Sequence, residues 1–95
     1  AAPGAPSQVS VLANFLCDEC TNIWIWWQPP VEGSTDILDY IVEDGPGNVV
    51  CTIPVGSWNI CLLSGLRSGS THDLVVRGRN AYGIGTGVPV AVTLN

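Results

Sequence analysis

The chain has 95 residues, 46% of them apolar and 12% charged, with eight acidic and three basic side chains and a net charge of −5. That apolar share excludes a disordered chain. Lysine is absent, and Arg67, Arg77 and Arg79 are the only basic residues, so there is no footprint for nucleic acid and little attraction to an anionic membrane. No run of 18 apolar residues is present, so no inserted membrane helix is expected.

The chain opens on Ala1-Ala2-Pro3-Gly4-Ala5-Pro6-Ser7, a Pro/Gly/Ala stretch that reads as a short, semi-stiff linker over 1–7. β-rich runs follow at 8–13, 22–28, 37–43, 48–53, 58–63, 72–79 and 88–94. Turn signals separate them, among them Pro29-Pro30, Glu32-Gly33-Ser34, Asp44-Gly45-Pro46-Gly47 and Gly83-Ile84-Gly85. Seven short strands with regular turns predict one all-β domain over 8–95, a two-sheet sandwich. No segment carries a 3.6-residue apolar period, so no significant helix is expected. Methionine is absent and no signal peptide is visible, which suggests a processed chain or a piece of a longer one.

The run Ile23-Trp24-Ile25-Trp26-Trp27-Gln28-Pro29-Pro30 resembles the second strand of fibronectin type III domains, with a core tryptophan ahead of a proline pair. Ile37 and Tyr40-Ile41-Val42 resemble the third strand of that family. Leu63, Gly65-Leu66 and Gly69 resemble the corner before its sixth strand, and Leu74, Val76, Asn80, Gly83 and Gly85 resemble that strand and its turn. Each motif is loose alone, but their order covers nearly the whole chain. The resemblance implies a seven-stranded, immunoglobulin-like sandwich. Three departures stand out: His72 where the family has a corner tyrosine, Gly78 where it has alanine, and four cysteines where it usually has no disulfide. The end Val92-Thr93-Leu94-Asn95 and the first residues, written tail to head, read like a junction between tandem repeats.

Cys17 and Cys20 form Cys-Asp-Glu-Cys, whereas Cys51 and Cys61 stand ten apart. A redox-active Cys-x-x-Cys normally opens a helix, and Asp18 and Glu19 would raise its thiol pKa rather than lower it. A zinc site would call for a second close pair. The expected outcome is two structural disulfides, Cys17–Cys20 and Cys51–Cys61, although four cysteines allow three pairings. Disulfides imply an oxidising compartment, whether secreted, periplasmic or cell-surface, and the expected location is extracellular, secreted or on the cell surface.

No catalytic constellation emerges. His72 and Asp73 are strand neighbours that point to opposite faces. Ser70 and Thr71 lie beside them in the corner, with no evident oxyanion hole. His72 is expected to replace the corner tyrosine by bonding to backbone. The acidic residues Asp18, Glu19, Glu32, Asp36, Asp39, Glu43 and Asp44 fit no calcium loop. No helix follows Gly83-Ile84-Gly85-Thr86-Gly87 to hold a phosphate. Asp39 and Glu43 are expected to pair across strands with Arg77 and Arg79. There is no Asn-x-Ser/Thr sequon and no Arg-Gly-Asp tripeptide. We expect no metal, no cofactor and no enzymatic activity.

The feature with functional content is strand parity. With Trp27 in the core, Ile23 and Ile25 share its face, and Trp24 and Trp26 point outward. The resemblance implies that the first, second and fifth strands form one sheet. Its outer face then carries Leu12, Trp24, Trp26, Trp58, Ile60 and Leu62, an apolar patch near the largest an ordinary monomer exposes. The expected function is a structural module that packs against copies of itself in a tandem array, fibre or surface assembly. The alternative is a polysaccharide-binding or adhesion module of a larger secreted protein, with Trp24 and Trp26 as a stacking platform.

Overall fold

The computed structural model describes residues 2–13, 21–31 and 36–94. The expected Cys17–Cys20 pair and the Glu32-Gly33-Ser34 turn lie outside these residues.

Alternation drives the strands. In β2 (Ile23–Gln28) Ile23, Ile25 and Trp27 are buried while Trp24 and Trp26 are half-buried on the opposite face. β1 (Ser7–Ala13) and β5 (Ile60–Leu63) flank it on either side, both antiparallel, giving a three-stranded sheet of order β1-β2-β5. The second sheet runs from the edge strand β4 (Val49–Pro54) through β3 (Asp39–Asp44) to β6 (Thr71–Asn80). The expected seventh strand forms over 88–93, and two residues of the expected Gly83-Ile84-Gly85 turn add a short strand before it. β7 (Gly83–Ile84) pairs Asn80 and Arg79, and β8 (Val88–Thr93) pairs the stretch Thr71–Val76. The described residues thus form eight strands and no helix, because the Gly83–Gly87 region interrupts the ladder along β6.

The two sheets close on one apolar layer. Ile23, Ile25, Trp27, Cys61 and Leu63 from the first meet Tyr40, Val42, Leu74, Val76 and Val92 from the second. Trp27 is 1% exposed, and its indole packs at a tilt on Tyr40 with ring centroids 5.7 Å apart. Burial pushes the Tyr40 hydroxyl above its ordinary pKa. Removing an aromatic ring from such a site costs about 3–5 kcal/mol.

Two devices hold the sandwich where hydrogen bonds cannot. The first is the disulfide Cys51–Cys61, with Cα atoms 6.4 Å apart. Cys51 sits on β4 and Cys61 on β5, the last strands of their respective sheets. The bond therefore clips the sheets together along an edge where no ladder joins them. The second is the N-terminal segment, read from the sequence as a linker. Pro3 and Pro6 are buried, and Ser7 Oγ donates to the Pro29 carbonyl at 2.7 Å. Pro3 lies against Gly78 and Gly85, where a Cβ at Gly85 would sit 2.1 Å from the Pro3 carbonyl oxygen. Gly85 is thus a glycine of close approach rather than of unusual φ.

Replacing both Cys51 and Cys61 with serine should lower unfolding free energy by about 2–3 kcal/mol in urea titrations, the loop-closure value for a ten-residue separation. Gly85→Ala should displace the segment around Pro3 and cost roughly 1–3 kcal/mol, read in the same titrations, with Thr86→Ala at the exposed neighbouring position as the control.

Candidate functional site

Cross-strand register brings the expected patch together. Leu12 stands opposite Trp24, and Trp24 opposite Leu62, so these three form one row across the sheet. Ser10, Trp26 and Ile60 form the next row. Adjacent side chains in such rows lie about 4.5–5.5 Å apart at Cβ, close enough to act as one surface. Leu12, Leu62 and Ile60 are 41%, 44% and 38% exposed, and Leu12, Trp24, Trp26 and Ile60 line one shallow apolar hollow. The indoles of Trp24 and Trp26 form much of that floor.

Trp58 takes a different position from its five partners. The fifth strand begins at Ile60, two residues later than expected, and Trp58 precedes it. The Asn59 carbonyl accepts from Trp27 N–H at 3.2 Å, which anchors this approach to β2. Trp58 is 88% exposed and borders a groove with Trp26, Trp27, Gln28, Ser57, Asn59 and Ile60. The parity argument found the tryptophans. Of the polar residues beside Trp58, Gln28 ends β2 with the parity of Trp24 and Trp26, whereas Ser57 and Asn59 come from a turn whose path only the folded chain defines.

Charge is partitioned between the sheets. β1, β2 and β5 contain no charged residue. On the other sheet Arg79 makes a two-pronged contact with Asp39, at 2.9 Å from Nε and 2.5 Å from Nη2. Arg77 Nε donates to Glu43 Oε1 at 2.7 Å. These are the cross-strand pairs the sequence predicted, one directly opposite and one diagonal in register. As exposed or half-exposed pairs, screened by solvent, they contribute little to stability.

The corner histidine departs from expectation. His72 does not bond to backbone. Its Nδ1 contacts Asp44 Oδ2 at 2.7 Å and its Nε2 contacts Ser70 Oγ at 2.6 Å. Asp44 lies 28 positions away on β3, and β3–β6 pairing brings it within reach, a proximity invisible in the linear spacing. Side-chain partners win because the imidazole has two ring nitrogens to satisfy at a half-buried position. The order Ser70–His72–Asp44 has the connectivity of a nucleophile, base and orienting carboxylate. Ser70 Oγ also donates to the Arg67 carbonyl at 2.5 Å, so the hydroxyl is held between the turn backbone and the imidazole that links it to Asp44. The chain ties the β3 end to the β5–β6 corner, the task of the absent tyrosine. Among the described residues no cluster of three or more His, Cys, Asp or Glu side chains suits a metal ion.

No protein-family model matches the chain. Solved structures do match in fold. Domains d3–d4 of the rat CD45 extracellular region superpose with a TM-score of 0.74 at 20% identity, covering 98% of this chain and 50% of that one. The fn3 domain of human collagen alpha-1(XX) chain gives 0.70 at 17% identity, covering 99% and 87%. The chicken CNTN1 FN1-FN3 domains give 0.73 at 15%, covering 100% and 31%. This chain thus spans half of the CD45 structure and less than a third of the CNTN1 structure. With the two-sheet topology and the core around Trp27, these likenesses identify the fold as that of a fibronectin type III domain.

Proposed function

We propose that the domain is a non-enzymatic, extracellular structural module that packs against copies of itself through the outer face of β1-β2-β5. The observation that carries this reading is the uncharged double row Leu12–Trp24–Leu62 and Trp26–Ile60 on a protein of net charge −5. Water contact with such a surface is unfavourable by about 25 cal/mol per Å2 of apolar area. Tryptophan is also the side chain most enriched where binding energy concentrates.

A second copy is the occupant that the charge distribution favours. Two like chains repel through their net charge, but Asp39, Glu43, Asp44 and Asp73 all stand on the β3–β6 sheet. Face-to-face packing of the apolar sheets keeps those groups on the far sides of the pair. At exposed separations beyond about 8–10 Å, physiological salt screens what remains. The Cys51–Cys61 disulfide supports an oxidising, extracellular setting.

Size sets the expected strength. A patch of about 300–600 Å2 per partner falls below a standard stable interface. A lone domain should therefore dimerise weakly, with Kd on the order of 0.1–1 mM. Neighbours in one chain or fibre meet at millimolar effective concentration, enough to populate the contact. Sedimentation equilibrium of the isolated domain should show this weak dimer. The variant carrying Trp24→Ser and Leu62→Ser should weaken it at least about tenfold while keeping its folded far-ultraviolet dichroism. An Arg77→Ser variant that weakened association equally would place the contact on the wrong sheet.

A further inference from the structure

We propose that the groove beneath Trp58 is a binding site for a neutral oligosaccharide, separate in chemistry from the purely apolar rows beside it. The groove encloses about 550 Å3, within the range of small-ligand sites. One wall is Trp58, 88% exposed, and another is Trp26. An indole left in water at this level has no role in the core. Its flat apolar face matches the C–H face of a pyranose ring.

Stacking alone does not select a sugar, because hydroxyls also need partners. This groove supplies them from Gln28, Ser57 and Asn59. Two amides and a hydroxyl offer both donors and acceptors with no formal charge. The hollow over Leu12, Trp24, Trp26 and Ile60 offers no such side chain. The Trp24–Trp26 platform is therefore the poorer candidate for sugar, and the Trp58 groove the better one.

Charge narrows the ligand class further. No residue bordering the groove is charged. Of the three described cations, Arg67 does not border the groove, and Arg77 and Arg79 are paired with Glu43 and Asp39 on the other sheet. A sulfated or carboxylated glycan would bring anions to an uncompensated site on a protein of net charge −5. A neutral glycan carries no such penalty. The groove shares Trp26 and Ile60 with the apolar rows, while Trp58, Gln28, Ser57 and Asn59 do not line the apolar hollow, so substitutions at those four residues separate the two sites.

The test uses the intact 95-residue domain, titrated with cellohexaose, chitohexaose and maltohexaose as neutral probes and heparin as the anionic one. Tryptophan fluorescence and calorimetry report binding. The expected result is saturable millimolar-or-tighter binding of at least one neutral probe, none of heparin, and a loss of about tenfold or more in Trp58→Ala and in Gln28→Ala. Leu62→Ser should weaken self-association and leave sugar binding intact, so this site and the apolar rows fail or stand independently. Absence of binding by every neutral probe at about 10 mM would overturn the proposal. So would preference for heparin, or unchanged affinity in Trp58→Ala. So would loss of self-association in Trp58→Ala without sugar binding by the parent domain, which would assign the groove to the protein contact.

Discussion

The rest of the structure depends on the period-two geometry of β2. An extended strand sends successive side chains to opposite faces, and here both faces are apolar. Ile23, Ile25 and Trp27 fix which face turns inward, because Trp27 has the Tyr40 ring to pack on and the others have Cys61, Leu63 and Val76 nearby in the core. Once that choice is made, Trp24 and Trp26 have nowhere to go but out. A one-residue slip would bury Trp24 and Trp26 and expose Ile23, Ile25 and Trp27, so register is set by which residues the opposing sheet can accept. The half-buried tryptophans on the outer face are thus a consequence of building a central strand that is apolar on both sides. Ordinary antiparallel sheets with one wet face avoid this.

The same logic divides the molecule into two unlike surfaces. The β3–β6 sheet has a conventional outer face with charges paired across strands. The β1-β2-β5 sheet has none. A small domain with so uneven a surface needs firm internal connections, since its core is limited. The Cys51–Cys61 clip, the Asp44–His72–Ser70 chain and the Pro3–Gly85 contact supply them at three different margins of the sandwich.

Much of this was legible in the sequence, and what was not has a physical reason. Strand spacing and the Ile23–Pro30 run predicted the fold, and parity predicted the outward set Leu12, Trp24, Trp26, Ile60 and Leu62. The ion pairs of Asp39 and Glu43 also followed from parity, because neighbouring strands present facing residues in a fixed pattern. His72 was read correctly as the corner residue but given backbone partners, since a contact with Asp44 depends on how β3 and β6 align at their ends. The two-residue strand β7 is not legible, because Gly83–Gly87 reads as a single turn and so short a ladder carries no alternation. Ser57 and Asn59 on the border of the Trp58 groove are not legible for a related reason: turn residues carry no periodicity, so their side chains can be placed only once the chain path is known.

The central claim is that the outer face of β1-β2-β5 is where the domain meets its own kind. The most direct measurement is a concentration series of 1H–15N correlation spectra of the isolated domain. The indole N–H signals of Trp24 and Trp26 and the amides of Leu12 and Leu62 should move together as concentration rises, while the amides of Arg77 and Arg79 stay fixed. Movement confined to the Arg77 and Arg79 face, or none up to about 1 mM, would contradict the account.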